Sequence, residues 1–140
     1  MKNSGITLVE LLLVVSLIAI IGATVSPFLS NFVLRVNFQT TVDQVEGYLM
    51  KAQSYAMNNK NDETWGVCVT GNNLRLFSDS CASPSYAENY VIPGSVGIGN
   101  FSQVTFSSLR GEPNAAQAIS ITSDIESTSI SLTAGGGITF

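Results

Sequence analysis

The chain contains no histidine. That absence removes the usual general base at neutral pH and the Ser-His and Cys-His pairs of nucleophilic catalysis. It also deprives a zinc site, which needs about four Cys, His or carboxylate ligands, of its nitrogen donors. Charge is scarce as well: Asp, Glu, Lys and Arg make up 11% of the residues, with six cations against ten acids and a formal net charge of -4. An acidic chain does not suit the phosphate grip on which general nucleic-acid binding rests, and Arg35, Lys51, Lys60, Arg75 and Arg110 are scattered in sequence, although folding could cluster Arg75 with Arg110. The remaining acidic pairs have plain readings. Asp43 and Glu46 lie three apart on one side of a helix, as a solvated face would place them. Asp124 and Glu126 flank Ile125 in a turn, where they offer calcium-type oxygen ligands or simply an acidic turn. Gly135-Gly136-Gly137 lacks the lysine and following helix of a phosphate loop and reads as a turn. The expectation is therefore no enzyme, no cofactor and no metal.

What is present is an apolar run, Leu11 to Val25, headed by the carboxylate of Glu10. An unpaired carboxylate in hydrocarbon costs roughly 2.5 to 3.5 kcal/mol at a helix centre even on lenient scales, so something must compensate it. The leader Met1-Lys2-Asn3-Ser4-Gly5 is short, polar and carries one positive charge. A cut after Gly5 would create an α-amino group on Ile6, one helical turn from Glu10 and able to pair with that carboxylate in a neighbouring copy. Two other readings remain: an ordinary secretory signal cleaved near Gly22-Ala23, which leaves Glu10 unexplained, and a plain membrane anchor, since the run approaches the ~20 residues that span a bilayer.

From Ile6 to about Asn58 no glycine pair or second proline breaks the pattern, and helix formers dominate after Pro27. After it, Leu29, Phe32, Val33, Val36, Val42, Val45, Leu49, Ala52 and Ala56 recur at three- and four-residue spacing, an amphipathic stripe opposite Arg35, Gln39, Asp43, Glu46 and Lys51. Gly22 and Pro27 mark a weak point, because proline inside a helix costs about 3 kcal/mol; a fixed kink and a locally melted segment both fit. Beyond Asn58 to Asp62 the chain turns to strands: Thr64 to Val69 and Leu74 to Ser78 around a Gly71-Asn72-Asn73 turn, one strand near Tyr90 to Ile92 in an otherwise looped 80–100, then Val104 to Phe106, Ala118 to Thr122, Ser129 to Thr133 and Ile138 to Phe140. Ile119 and Ile121, Ile130 and Leu132, Ile138 and Phe140 recur at period two, which predicts one inward sheet face.

Gly5-Ile6-Thr7-Leu8-Val9-Glu10-Leu11-Leu12-Leu13 closely resembles the processing signal of type IV pilins and type II secretion pseudopilins. The resemblance covers about the first thirty residues. It implies cleavage after Gly5 by a membrane-embedded prepilin peptidase, N-methylation of Ile6, where the family more often has Phe, and Glu10 as an assembly residue. Pro27 stands where many members carry a helix-kinking proline. A looser resemblance, from Val104-Thr105-Phe106-Ser107-Ser108-Leu109-Arg110-Gly111-Glu112-Pro113 through the Ile-Ser-Ile strand to Ile130, Leu132 and Ile138, is to the head of the H-type pseudopilin and FimT minor pilin group, with a major pilin head as the competitor.

These resemblances imply an α+β, type IV pilin-like fold: a long N-terminal α-helix, kinked near Pro27, packed on an antiparallel β-sheet head. The expected organisation is a leader 1–5, a hydrophobic transmembrane and polymerisation helix 6–27, an amphipathic helix 28–58 and a β-rich head 59–140. The implied function is a structural subunit of a type IV pilus or type II secretion pseudopilus; the alternative is a minor pilin binding DNA or substrate at a filament tip. Implied partners are other copies or other pilin subunits, the prepilin peptidase, an inner-membrane assembly platform and, before assembly, the membrane itself. Localisation follows as single-pass in the cytoplasmic membrane, then an extracellular or periplasmic filament. In an exported chain, Cys68 and Cys81 read most simply as one disulfide, contributing roughly 3 kcal/mol on the chain-entropy model, with free thiols or a metal pair as the other possibilities.

Overall fold

A computed structural model describes residues 7–139, with the side chains of 24–28 excepted. The chain is α+β. Helix α1 runs Leu8–Met57, a short 3-10 turn follows at Lys60–Asp62, and among the described residues eight strands come after it: β1 Trp65–Thr70, β2 Asn73–Ser78, β3 Ala87–Val91, β4 Val96–Gly99, β5 Gln103–Phe106, β6 Gln117–Ser123, β7 Ser127–Leu132 and β8 Ile138–Thr139. By internal contacts the chain divides into two units, Met1–Val33 and Leu34–Phe140.

In the first unit α1 begins where its sequence supplies a cap. Thr7 stands just before the helix, its Oγ1 accepts the backbone N–H of Glu10 at 3.3 Å and its carbonyl accepts Leu11 N–H at 3.2 Å. Threonine followed three residues later by glutamate is the capping-box pattern, and the acid in the first turn faces the positive end of the helix dipole. The expected transmembrane helix and single-pass membrane localisation are overturned here: among the described residues, no helix is long and apolar enough to cross a membrane. Glu10 sits in the first turn of α1, which farther on carries Arg35, Asp43, Glu46 and Lys51.

In the second unit the strands form two antiparallel four-stranded sheets, ordered β3-β2-β1-β5 and β4-β6-β7-β8. Period two sets the register. Val67 lies opposite Leu76 and Val104 in the first sheet, and Ile119 opposite Ile130 and Leu132 opposite Ile138 in the second. These side chains form one core with Phe38, Val45, Tyr48, Leu49, Ala52 and Ala56 of α1. The helix stripe is thus displaced from the expected one: Leu29, Phe32, Val33 and Val36 are exposed, and burial starts at Phe38. The aromatic side chains of Phe38 and Tyr48, with Thr41 hydrogen-bonded to the Tyr90 hydroxyl at 3.2 Å, bring this stretch onto the sheets.

The 80–100 segment holds two strands where one was expected. Glycines disguise β4, Val-Gly-Ile-Gly, as loop. They serve close pairing instead, since a Cβ on Gly99 would stand 2.7 Å from Ser120 Oγ of β6. Two further glycine turns are pinned to the helix by one side chain, Gln53, whose Nε2 donates to the carbonyls of Gly111 at 2.9 Å and Gly136 at 2.7 Å. Both glycines have positive φ, +67° and +84°, and a Cβ on Gly111 would meet Met57 at 2.6 Å, so the backbone reaches the helix only because no side chain stands in the way.

Candidate assembly site

From Leu8 to Ile18 every large apolar side chain of α1 is exposed, and because these positions follow one another they cover all sides of the helix. Leu8 is 74% exposed and Ile18 65%. Within this surface Glu10 is the acid of the first turn, with Leu11, Val14 and Val15 beside it around a shallow concavity. One carboxylate in an open apolar surface is suited to receive a cation brought by another molecule. Gly5 and Ile6, the expected cleavage and methylation positions, lie outside the described residues. Gly22 lies within α1, with open space where a Cβ would be. The side chain of Pro27, the other expected kink position, lies outside the described residues.

Cys68 on β1 and Cys81 beyond β2 stand at disulfide distance, with Cα atoms 6.3 Å apart. Arg75 reinforces this link by donating from Nη1 to the Cys81 carbonyl at 2.9 Å and from Nε to Asn89 at 2.8 Å. The first hairpin, the loop after it and β3 are thereby tied together.

Each described Lys and Arg is engaged inside its own unit. Arg35 pairs with Glu126 at 3.3 Å, Lys51 with Glu88, and Arg110 with Glu112 at 3.9 Å. Lys60 Nζ stands 3.7 Å from the Tyr55 ring centroid, 5.1 Å from Trp65 and 5.8 Å from Tyr86, an ammonium boxed by three aromatic rings. Residues of left-handed φ at Asn59, Asn61 and Asp62 surround it, and the Trp65 indole N–H donates to its carbonyl at 2.9 Å. Arg75 and Arg110, which folding was free to cluster, are held by different partners. The hydrogen bond and charge of Glu88 raise the Lys51 pKa, and burial, then the Glu88 charge, raise that of Tyr48. Of the two acidic pairs, Glu126 serves Arg35, while Asp43 accepts from Gln39 Nε2 at 3.2 Å. Among the described residues no group of three or more Cys, Asp or Glu could hold a metal ion.

Three kinds of feature stand outside the expected set. Thr7 was legible as the first letter of a Thr-x-x-Glu cap. Lys60 and Gln53 were not, because nothing local marks a lysine for an aromatic box or a glutamine for two distant carbonyls. The loop between β5 and β6 is the third: Leu109 has φ +68°, rare for a bulky residue, and its N–H donates to the Ala56 carbonyl at the end of α1 at 3.0 Å. No family model, curated protein or solved structure matches this chain.

Proposed function

We propose that the chain is a structural filament subunit of the type IV pilin and pseudopilin kind, polymerising through the N-terminal part of α1. One observation carries this reading: an apolar surface, open on all sides of the helix from Leu8 to Ile18, holds the single carboxylate of Glu10. Exposed apolar surface on that scale marks an interaction site. Its all-round distribution suits burial among several neighbours better than docking on one face. Glu10 then receives the α-amino group of Ile6 from another copy, once the leader has been removed after Gly5.

Support also comes from the second unit, where a helix packed on antiparallel sheets forms a core of its own. The engagement of Lys51, Lys60 and Arg75 with partners in their own unit supports a structural subunit over a phosphate-binding module. Intact-mass analysis of assembled material tests the reading. The expected mass is that of a chain beginning at Ile6 and carrying one N-methyl group. Retention of Met1 in assembled subunits, or a start near Ala23, overturns it.

A further inference from the structure

The loop after β5 presents a feature that the fold does not use. Leu109 is 73% exposed and Arg110 has a side chain 77% exposed, yet the backbone beneath them is fixed at both sides. Leu109 N–H donates to Ala56, Gly111 N–H to the Ser107 carbonyl at 2.9 Å, and the Gly111 carbonyl receives Gln53. A left-handed φ of +68° suits glycine or asparagine, not leucine. The chain therefore holds an apolar side chain in an unfavourable conformation and points it outward, next to a cation. Strain kept at an exposed position directs attention to function.

A complementary surface lies elsewhere on the same unit. Phe38, Gln39, Val42, Asp43, Glu46 and Thr128 line an open cleft of about 300 Å³ between α1 and β7. It has an apolar floor and two acids on its rim, and neither Asp43 nor Glu46 is in an ion pair among the described residues. The tip is joined to α1 at Ala56, and the cleft wall centres on Val42. Those positions are separated by about 21 Å of helix, so one copy cannot fill its own cleft with its own tip.

We propose that the Leu109-Arg110 tip of one copy docks into the Phe38-Val42-Asp43-Glu46 cleft of the next. Leu109 covers the apolar floor, and Arg110 exchanges its long contact with Glu112 for the two rim acids. The contact is heterologous, using different patches on the two copies, and such contacts propagate as open series unless their rotation closes a ring. It deepens the filament reading by naming a head-to-head contact, but it is measurable without filaments.

The test uses the full chain in a mild detergent that covers the apolar surface of residues 8–23, so that only the second units can associate. Sedimentation equilibrium should show mass rising with concentration beyond two chains. Arg110→Glu should weaken this association at least fivefold, and adding Glu46→Arg should restore it to within about twofold of the parent. Leu109→Gly should weaken it similarly without lowering the melting temperature, because glycine relieves the positive φ. A monomeric parent, a mass that stops at two chains, an unchanged Arg110→Glu variant or failure of the double reversal overturns the proposal. A parent that associates in detergent yet forms no filament without it keeps this contact and loses the filament reading; filaments from a parent monomeric in detergent do the reverse.

Discussion

Leu8 to Ala23 and Phe38 to Ala56 are stretches of one helix with opposite relations to the rest of the chain. The first is apolar at nearly every position, and its large side chains stand exposed; the second is amphipathic, and Phe38, Val45, Tyr48, Leu49, Ala52 and Ala56 are buried against two sheets. Helix propensity does not separate them, since both are rich in good helix formers. The partner does. The second stretch supplies its own from Trp65 onward, with period-two strands that place Val67, Leu76, Val104, Ile119 and Ile130 against it. The first finds none large enough within its own unit, and this is what distinguishes a buried core from an exposed apolar surface when hydrophobicity alone does not.

The sharpest way to break that contrast is to truncate a leucine in each stretch. Leu49→Ala removes a fully buried side chain and should cost about 2–5 kcal/mol in denaturant unfolding of the second unit. Leu13→Ala, on the exposed stretch, should change that unfolding by no more than about 0.5 kcal/mol. A large loss from Leu13→Ala would show that the first stretch contributes to the same core.

Cys68→Ser with Cys81→Ser comes next. Removing a cross-link of that span should lower stability by about 3 kcal/mol on the chain-entropy model, with no effect on burial at Leu8 to Ile18. Thiol titration of unfolded, unreduced parent should find none free. Two free thiols would contradict the link.

The smallest expected effect is alkaline. Lys51 and Tyr48 both have folded pKa values raised above their ordinary ones near 10, the first chiefly through its bond to Glu88 and the second through burial. The native state then holds protons that the unfolded state releases, so the stabilisation is fully present below about pH 10 and is lost as pH rises through the folded values. Chemical denaturation at pH 8 and pH 11 should show the fall, and Lys51→Met with Tyr48→Phe should flatten it.

Much of the fold was legible because its signals are local. The change from three-and-four spacing to period two falls close to the end of α1 at Met57, and the inward positions Ile119, Ile121, Ile130 and Leu132 follow from alternation. What failed depends on tertiary contact. The stripe at Leu29 to Val36 has the right period but finds no cover, while Phe38 does; β4 is hidden by glycines whose value lies in a neighbouring strand. The expectation of a membrane span rested on the family resemblance and on the length of the apolar run, and among the described residues no helix is long and apolar enough to cross a membrane. At the candidate assembly surface Glu10 was conspicuous as a charge in an apolar run, whereas Leu109 became so only through a backbone angle that no sequence pattern displays.

Whether the carboxylate of Glu10 is an assembly contact is decided by the amount of Glu10→Ala chain in sheared filament fractions relative to the parent, with no other subunit present to rescue it. Removing one partner of a buried ion pair typically costs about 3–5 kcal/mol. The predicted result is a drop of at least tenfold in the filament fraction, with thermal unfolding of the second unit unchanged and cleavage at Gly5 intact. Incorporation at the parental level would contradict the claim.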